Sequence, residues 1–148
     1  DFILLDKKRF GSGVEIIPLE KSFNLVYKGI KLKGALDRID KNGDTYEIID
    51  YKTSSSLKID SIKNYENSSD FQLEFYFLAS KELFSYEKIK TFYYDLYNVT
   101  LNEEIALFQK LELLEHIFED LKTKEVNFEK CESNSTCQFC DFKTICDR

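Results

Sequence analysis

Asn42-Gly43 stands between two runs of β-branched and aromatic residues, 30–39 and 45–52, and constrains this chain more than any other feature. Both central residues of a type I′ turn need positive φ, so Asn-Gly between two strand-like runs predicts a tight β-hairpin. If Asn42 and Gly43 alone form the loop, Lys41 faces Asp44. Pairing outward then sets Asp37 opposite Ile48 and Ala35 opposite Asp50. Side chains two apart share a face. Ile48, Asp50 and Lys52 therefore project together, and Asp37 projects to the same side, diagonal to Asp50. Diagonal neighbours lie roughly 7–8 Å apart at the backbone, near enough for two carboxylates to reach one ion. A loop one residue longer would undo this arrangement.

Two carboxylates aimed at one point repel unless a cation lies between them, and hard oxygen donors suit Mg²⁺ or Mn²⁺. Lys52 on the same face could orient or deprotonate a water, or neutralise charge building on a phosphoryl group. Taken alone, an acidic and basic pair on a strand is more often a solvated face. Arg38 and Glu47 illustrate this: the same register sets them opposite each other on the other face, as a cross-strand ion pair without chemistry. Asp40, near the turn, reads as structural.

Around the hairpin, residues 1–13 read as a charged tail or the remnant of an upstream element. Residues 14–27 read as extended structure bent at Pro18, and Gly29 opens a turn into the run 30–39. The polar stretch 53–69, with three consecutive serines, reads as a loop. Asp70 can cap a helix over 71–84 with Phe71, Phe75, Leu78 and Ala79 on one face. Residues 89–99 read as a largely buried strand. Thr100 and Glu103 have capping-box spacing, and Leu107, Leu111, Leu114, Phe118 and Leu121 predict an amphipathic helix of about two dozen residues. His116 falls on its surface. The order predicts a mixed α/β sandwich around a small sheet.

With 148 residues, 43% of them hydrophobic, there is apolar material for one core, so a single domain is expected. The net charge of −6 argues against a nonspecific basic coat for nucleic acid, though an acidic pocket can still hold cations. There is no run of some eighteen apolar residues and no secretory pattern, which predicts a cytoplasmic chain off the membrane. The absence of methionine suggests a piece of something longer.

All four cysteines, Cys131, Cys137, Cys140 and Cys146, lie in the last eighteen residues, where a disulfide framework would spread them through the fold. Cys137-x₂-Cys140-x₅-Cys146 is a compact array suited to wrap a metal centre. Cys131 is an uncertain fourth ligand, and a Cys₄ set would also suit Zn²⁺.

Three segments, in order, carry a wider resemblance: Gly34-Ala35-Leu36-Asp37-Arg38-Ile39-Asp40, Ile49-Asp50-Tyr51-Lys52-Thr53, and Gln72-Leu73-Glu74-Phe75-Tyr76. Together they resemble the successive motifs of the PD-(D/E)XK nuclease superfamily, in particular its RecB-like branch of RecB- and AddB-type helicase-nucleases and CRISPR-associated exonucleases. The resemblance spans residues 20–148. It implies a restriction-endonuclease-like α/β core, a small mixed sheet flanked by helices with a cysteine-rich tail, and Mg²⁺-dependent cleavage of DNA. Asp37, Asp50 and the Tyr51 carbonyl would bind metal, and Lys52 would act on the attacking water. Gln72 and Tyr76, one helical turn apart, match a Q-x-x-x-Y helix that supports the site or touches DNA, a spacing equally compatible with packing. Glu20 resembles a glutamate preceding the hairpin in many relatives. The family also tends to carry a His or Glu on a helix upstream, for which this chain has no convincing counterpart, so the isolated fragment could prove inactive.

The tail resembles the iron-sulfur segment of AddB-type nucleases, where three late cysteines join a fourth from upstream in a [4Fe-4S] cluster. In a chain without that ligand the site would be empty or hold zinc. The expected organisation is residues 14–130 as nuclease core and 131–148 as a cysteine segment of the same domain. The expected function is a DNA exonuclease domain working with a helicase subunit or region in double-strand break repair. The alternatives are a catalytically silent DNA-binding scaffold held by a cysteine-bound metal, and a stand-alone CRISPR-associated nuclease.

Overall fold

A strand buried on both faces organises the molecule, and it lies at the centre of a mixed sheet. The structure, a computed structural model, describes residues 2–17, 21–123, 134–138 and 140–146. Its elements run α1 (Phe2–Gly11), β1 (Glu15–Ile17), β2 (Lys21–Tyr27), β3 (Ile30–Leu36), β4 (Arg38–Asn42), β5 (Thr45–Lys52), α2 (Gln72–Phe84), β6 (Ile89–Asp95), β7 (Thr100–Glu103), α3 (Leu107–Lys122) and α4 (Asn134–Gln138). The five-stranded sheet has the order β1-β4-β5-β6-β7, and β2 and β3 pair as a separate ribbon. The β5–β6 pair is parallel and its neighbours are antiparallel. A parallel pair needs a crossover, and residues 53–88 with α2 supply it. The result is the expected mixed sheet flanked by helices, a restriction-endonuclease-like architecture. The chain divides into two compact units, Asp1–Phe118 and Glu119–Arg148.

Strand β5 separates two kinds of interior. Tyr46 and Ile48 join the larger core with Ile39, Leu73, Ala79, Tyr93 and Leu114, beneath α2. Ile49 packs on the other face with Phe92 and Tyr94, against which Leu5, Tyr51, Leu96 and Leu101 are half-buried. Ile48 and Ile49 are both 0% exposed, and each such side chain contributes about 1.5–3 kcal/mol from burial.

On this second face α1 is held by charge. Arg9 pairs with Asp40 and Glu47, both at 2.7 Å. Arg38 pairs with Asp40 and Asp6, again at 2.7 Å. Residues read as a charged tail therefore form a docked helix. The expected Arg38–Glu47 pair does not form, because the hairpin register differs from the expected one by two residues.

Its loop is Gly43-Asp44, with Asn42 facing Thr45, Asp40 facing Glu47 and Arg38 facing Ile49. Of the two loop residues only Gly43 has positive φ, 58°, the type II′ pattern. Asn42 is drawn into the strand, where its amide donates to Glu47 Oε1 at 2.9 Å. A two-residue slip keeps every side chain on its face. The type I′ pattern occurs instead at Lys28-Gly29, with φ of 47° and 84°, between β2 and β3. The run 30–39 also breaks at Asp37, so that β3 and β4 belong to different sheets.

Thr100 does not cap a helix, since residues 100–103 form β7 against β6. Asp95 Oδ1 accepts the N–H groups of Tyr97 and Asn98, both at 2.9 Å, and so turns the chain back. The cap falls to Glu104, whose Oε1 accepts the Ala106 N–H at 2.9 Å, and α3 starts at Leu107, leaving 16 residues.

Two details fix α2 in place. A Cβ on Gly34 would lie 2.8 Å from Phe23 Cζ, so the ring needs the missing side chain. Phe23 in turn meets Tyr76 edge-to-face at 6.2 Å. Gly34→Ala is expected to lower stability by about 1–3 kcal/mol through overpacking, read as the urea midpoint. Beneath α2, Lys110 is 1% exposed and lies 3.0 Å from Glu104 and 3.3 Å from Glu74, itself 0% exposed. Lys110 also reaches Asp60 of the 53–69 loop at 3.7 Å.

Candidate active site

Because β5 alternates, Asp50 and Lys52 emerge on the α2 side at the end of the strand. Asp50 is 1% exposed. Lys52 Nζ forms an ion pair with its Oδ2 at 3.0 Å. Burial raises the carboxyl to about 6 despite the ammonium beside it, and Asp37 and Asp70 add to the rise.

Lys52 Nζ donates to Gln72 Oε1 at 2.8 Å and to Asp70 Oδ2 at 3.2 Å, and lies 5.1 Å from the centre of the Tyr93 ring. Burial would lower its basicity, yet Asp50 and Asp70 outweigh that and raise it, so the side chain is held as a cation. Gln72 Nε2 donates to the Tyr76 hydroxyl at 2.7 Å. A chain of contacts thus runs Asp50, Lys52, Gln72, Tyr76. Burial raises the Tyr76 phenol, opposed by Gln72, with the charges of Asp50 and Asp37 adding to it.

Asp37 occupies the bend between β3 and β4 and is exposed. Its Oδ2 accepts the Tyr51 N–H at 3.1 Å. That N–H is available because the β4 pairing ends with Arg38 opposite Ile49. In an extended strand the N–H and C=O of one residue leave on the same edge, which sets the Tyr51 carbonyl on the edge where Asp37 lies.

The structure therefore brings together Asp37, Asp50, Tyr51, Lys52, Gln72 and Tyr76. Sequence reasoning did not assign Asp70 or Tyr93 to this site. The sequence marks Asp70 as a helix cap, and its Oδ1 does accept the Gln72 N–H at 2.9 Å, while Oδ2 takes Lys52. Its position two residues before Gln72 was the available signal. His116 is exposed on α3. Glu20 and Cys131 lie outside the described residues.

The Asp37 and Asp50 carboxylates and the Tyr51 carbonyl are hard oxygen donors, a set that fits a divalent cation keeping waters on its remaining positions. Among the described residues no three His, Cys, Asp or Glu side chains gather as a metal site. The described cysteines, Cys137, Cys140 and Cys146, do not gather as a metal site; Cys137 is buried, Cys140 and Cys146 are half-buried, and the Cys140 N–H donates to the Cys137 carbonyl at 3.2 Å. No described helix is long and apolar enough to cross a membrane.

The family model of the PD-(D/E)XK nuclease superfamily matches residues 2–147. No curated protein matches the sequence. Among solved structures, the crystal structure of SSO0001 is 24% identical, with a TM-score of 0.40 over 98% of this chain. The chain spans 66% of that structure's length.

Proposed function

Since the chain belongs to the PD-(D/E)XK nuclease superfamily, we propose that it is a Mg²⁺- or Mn²⁺-dependent DNA exonuclease domain of the RecB-like type, acting with a helicase in double-strand break repair. The observation that carries this reading is the meeting at the end of β5 of the buried Asp50 carboxylate, the Asp37 carboxylate on the Tyr51 N–H and the Lys52 ammonium. Asp37 and Asp70 both push Asp50 toward its neutral form, so the single ammonium does not balance the acidic charge gathered here, which a divalent cation would.

Asp37, Asp50 and the Tyr51 carbonyl would hold the cation. When bound, it supplies positive charge at the scissile phosphate and lowers the pKa of water. Lys52 orients the attacking water and offsets charge on the phosphoryl oxygens; its raised basicity favours this over proton abstraction. Gln72 holds the ammonium through Oε1, and Tyr76 fixes the amide by accepting from Nε2. In the cysteine segment, a [4Fe-4S] cluster on Cys137, Cys140 and Cys146 would need a fourth thiolate outside the described residues, either Cys131 or another; iron and sulfide analysis tests it.

End-labelled linear DNA incubated with Mg²⁺ or Mn²⁺ is expected to shorten from its ends, and EDTA to stop it. No cleavage with either ion, together with calorimetry showing no Mn²⁺ bound, overturns the reading. Gln72→Ala is expected to lower kcat by about 10–100-fold with little change in KM, because it frees the Lys52 ammonium to wander. An unchanged kcat would remove Gln72 from this role.

A further inference from the structure

Residues 21–36 contain four lysines and no acidic residue, in a chain with 27 Asp and Glu. It is the longest acid-free run; the next, 51–59, has nine residues. The run coincides with the β2–β3 ribbon, which among the described residues pairs only with itself. The ribbon's inner face, Phe23, Leu25, Leu32 and Leu36, is buried in the core with α2. Its outer face presents Ser22, Asn24, Val26, Lys31, Lys33 and Ala35, all exposed. Asn24 faces Lys33 and Val26 faces Lys31 across the ribbon. Lys31 and Lys33 have no acidic partner within ion-pair distance among the described residues, whereas Lys88 and Lys90 pair with Asp44 and Glu103.

Strand β3 runs directly into Asp37. Residues 31, 33 and 35 follow one another on one face at steps of roughly 6.6 Å, and the next step reaches the bend at Asp37. An acid-free line of cations and small polar donors leading to a phosphodiester-cutting site has a natural complement. The geometry points to the outer face of the β2–β3 ribbon as the track for the phosphate backbone of the DNA strand being cut, with Lys31 and Lys33 as its cations and Asn24 and Ser22 as neutral donors. Backbone contacts of this kind position a strand without reading its sequence. This deepens the nuclease reading and rests on it for the identity of the strand.

The test separates the two. Fluorescence anisotropy of a labelled single-stranded oligonucleotide in EDTA measures binding without cleavage, for the wild-type protein, Lys31→Gln/Lys33→Gln, and Lys7→Gln/Lys8→Gln on exposed α1 as a charge-matched control. The ribbon variant is expected to lessen the slope of log K against log salt by about 1.4, two phosphates at about 0.7 each. The control is expected to keep the wild-type slope. In Mn²⁺ the ribbon variant raises KM on long DNA but leaves hydrolysis of a mononucleotide aryl phosphodiester unchanged, because that substrate is too short to reach the ribbon. Equal slopes in the two variants, or no binding by the wild-type protein, overturn the track. Binding with the expected slopes but no cleavage of either substrate keeps the track and overturns the nuclease reading.

Discussion

Asp50→Asn is expected to lower divalent-dependent DNA cleavage on the order of 10³-fold while making the metal-free protein more stable at pH 8. The first effect follows from removing the charge that would hold the cation: Asn keeps the shape of the side chain but offers a neutral oxygen. The second follows from burial, which raises the carboxyl from 3.8 to about 6. A carboxyl raised in the folded state binds its proton more tightly there than in the unfolded chain. Its contribution to stability is therefore full below about pH 4 and is lost as pH rises through about 6. Above that, the ionised group costs roughly 2–3 kcal/mol, which Asn removes. Thermal melts at pH 4 and pH 8, with and without Mn²⁺, check both halves. A variant that still degrades DNA would end the assignment of Asp50, and one that melts well below wild type at pH 8 would end the burial argument.

Lys110→Met is expected to destabilise the fold by about 3–5 kcal/mol, a fall in melting temperature of about 10 °C. Lys110 is buried between Glu74 and Glu104, and Met fills its space without its charge, leaving two carboxylates uncompensated. Burial already raises the Glu74 carboxyl to about 7, against the pull of Lys110. The sign is the same as for Asp50: Glu74 contributes most below about pH 4.5 and progressively less as pH rises through about 7. Glu74→Gln is therefore expected to flatten the pH dependence of stability between pH 5 and 8, leaving Lys110 on Glu104. Urea unfolding of both variants across that range is the measurement. A loss under 1 kcal/mol in Lys110→Met would mean that the cluster relaxes or hydrates.

The faces of the hairpin were legible because a period of two survives a slip of two: Asp50, Lys52 and Ile48 face α2 with either loop. The loop itself was not, since Asn42 is drawn into the strand by Glu47, a competition that turn propensity does not contain. The capping-box spacing of Thr100 and Glu103 was genuine, yet pairing with β6 satisfied those backbone groups first. The partners of Arg9, and the Glu74 and Asp60 partners of Lys110, lie far away in sequence, so nothing local marks α1 as docked or Glu74 as buried. Asp37, Asp50, Lys52 and Gln72 could be named together because the order of short motifs reports proximity that no single motif does.

The parallel seam between β5 and β6 has a consequence for how the molecule comes into being. Antiparallel neighbours joined by two-residue turns close quickly, whereas this seam waits for residues 53–88 to be looped back. Asp50 and Lys52 lie before the loop, Asp70 and Gln72 within it, and Tyr93 beyond it. A chain emerging from the ribosome would carry every motif through Tyr76 while still lacking the strand that encloses them. Competence to cut would therefore arrive late and all at once, with the docking of β6.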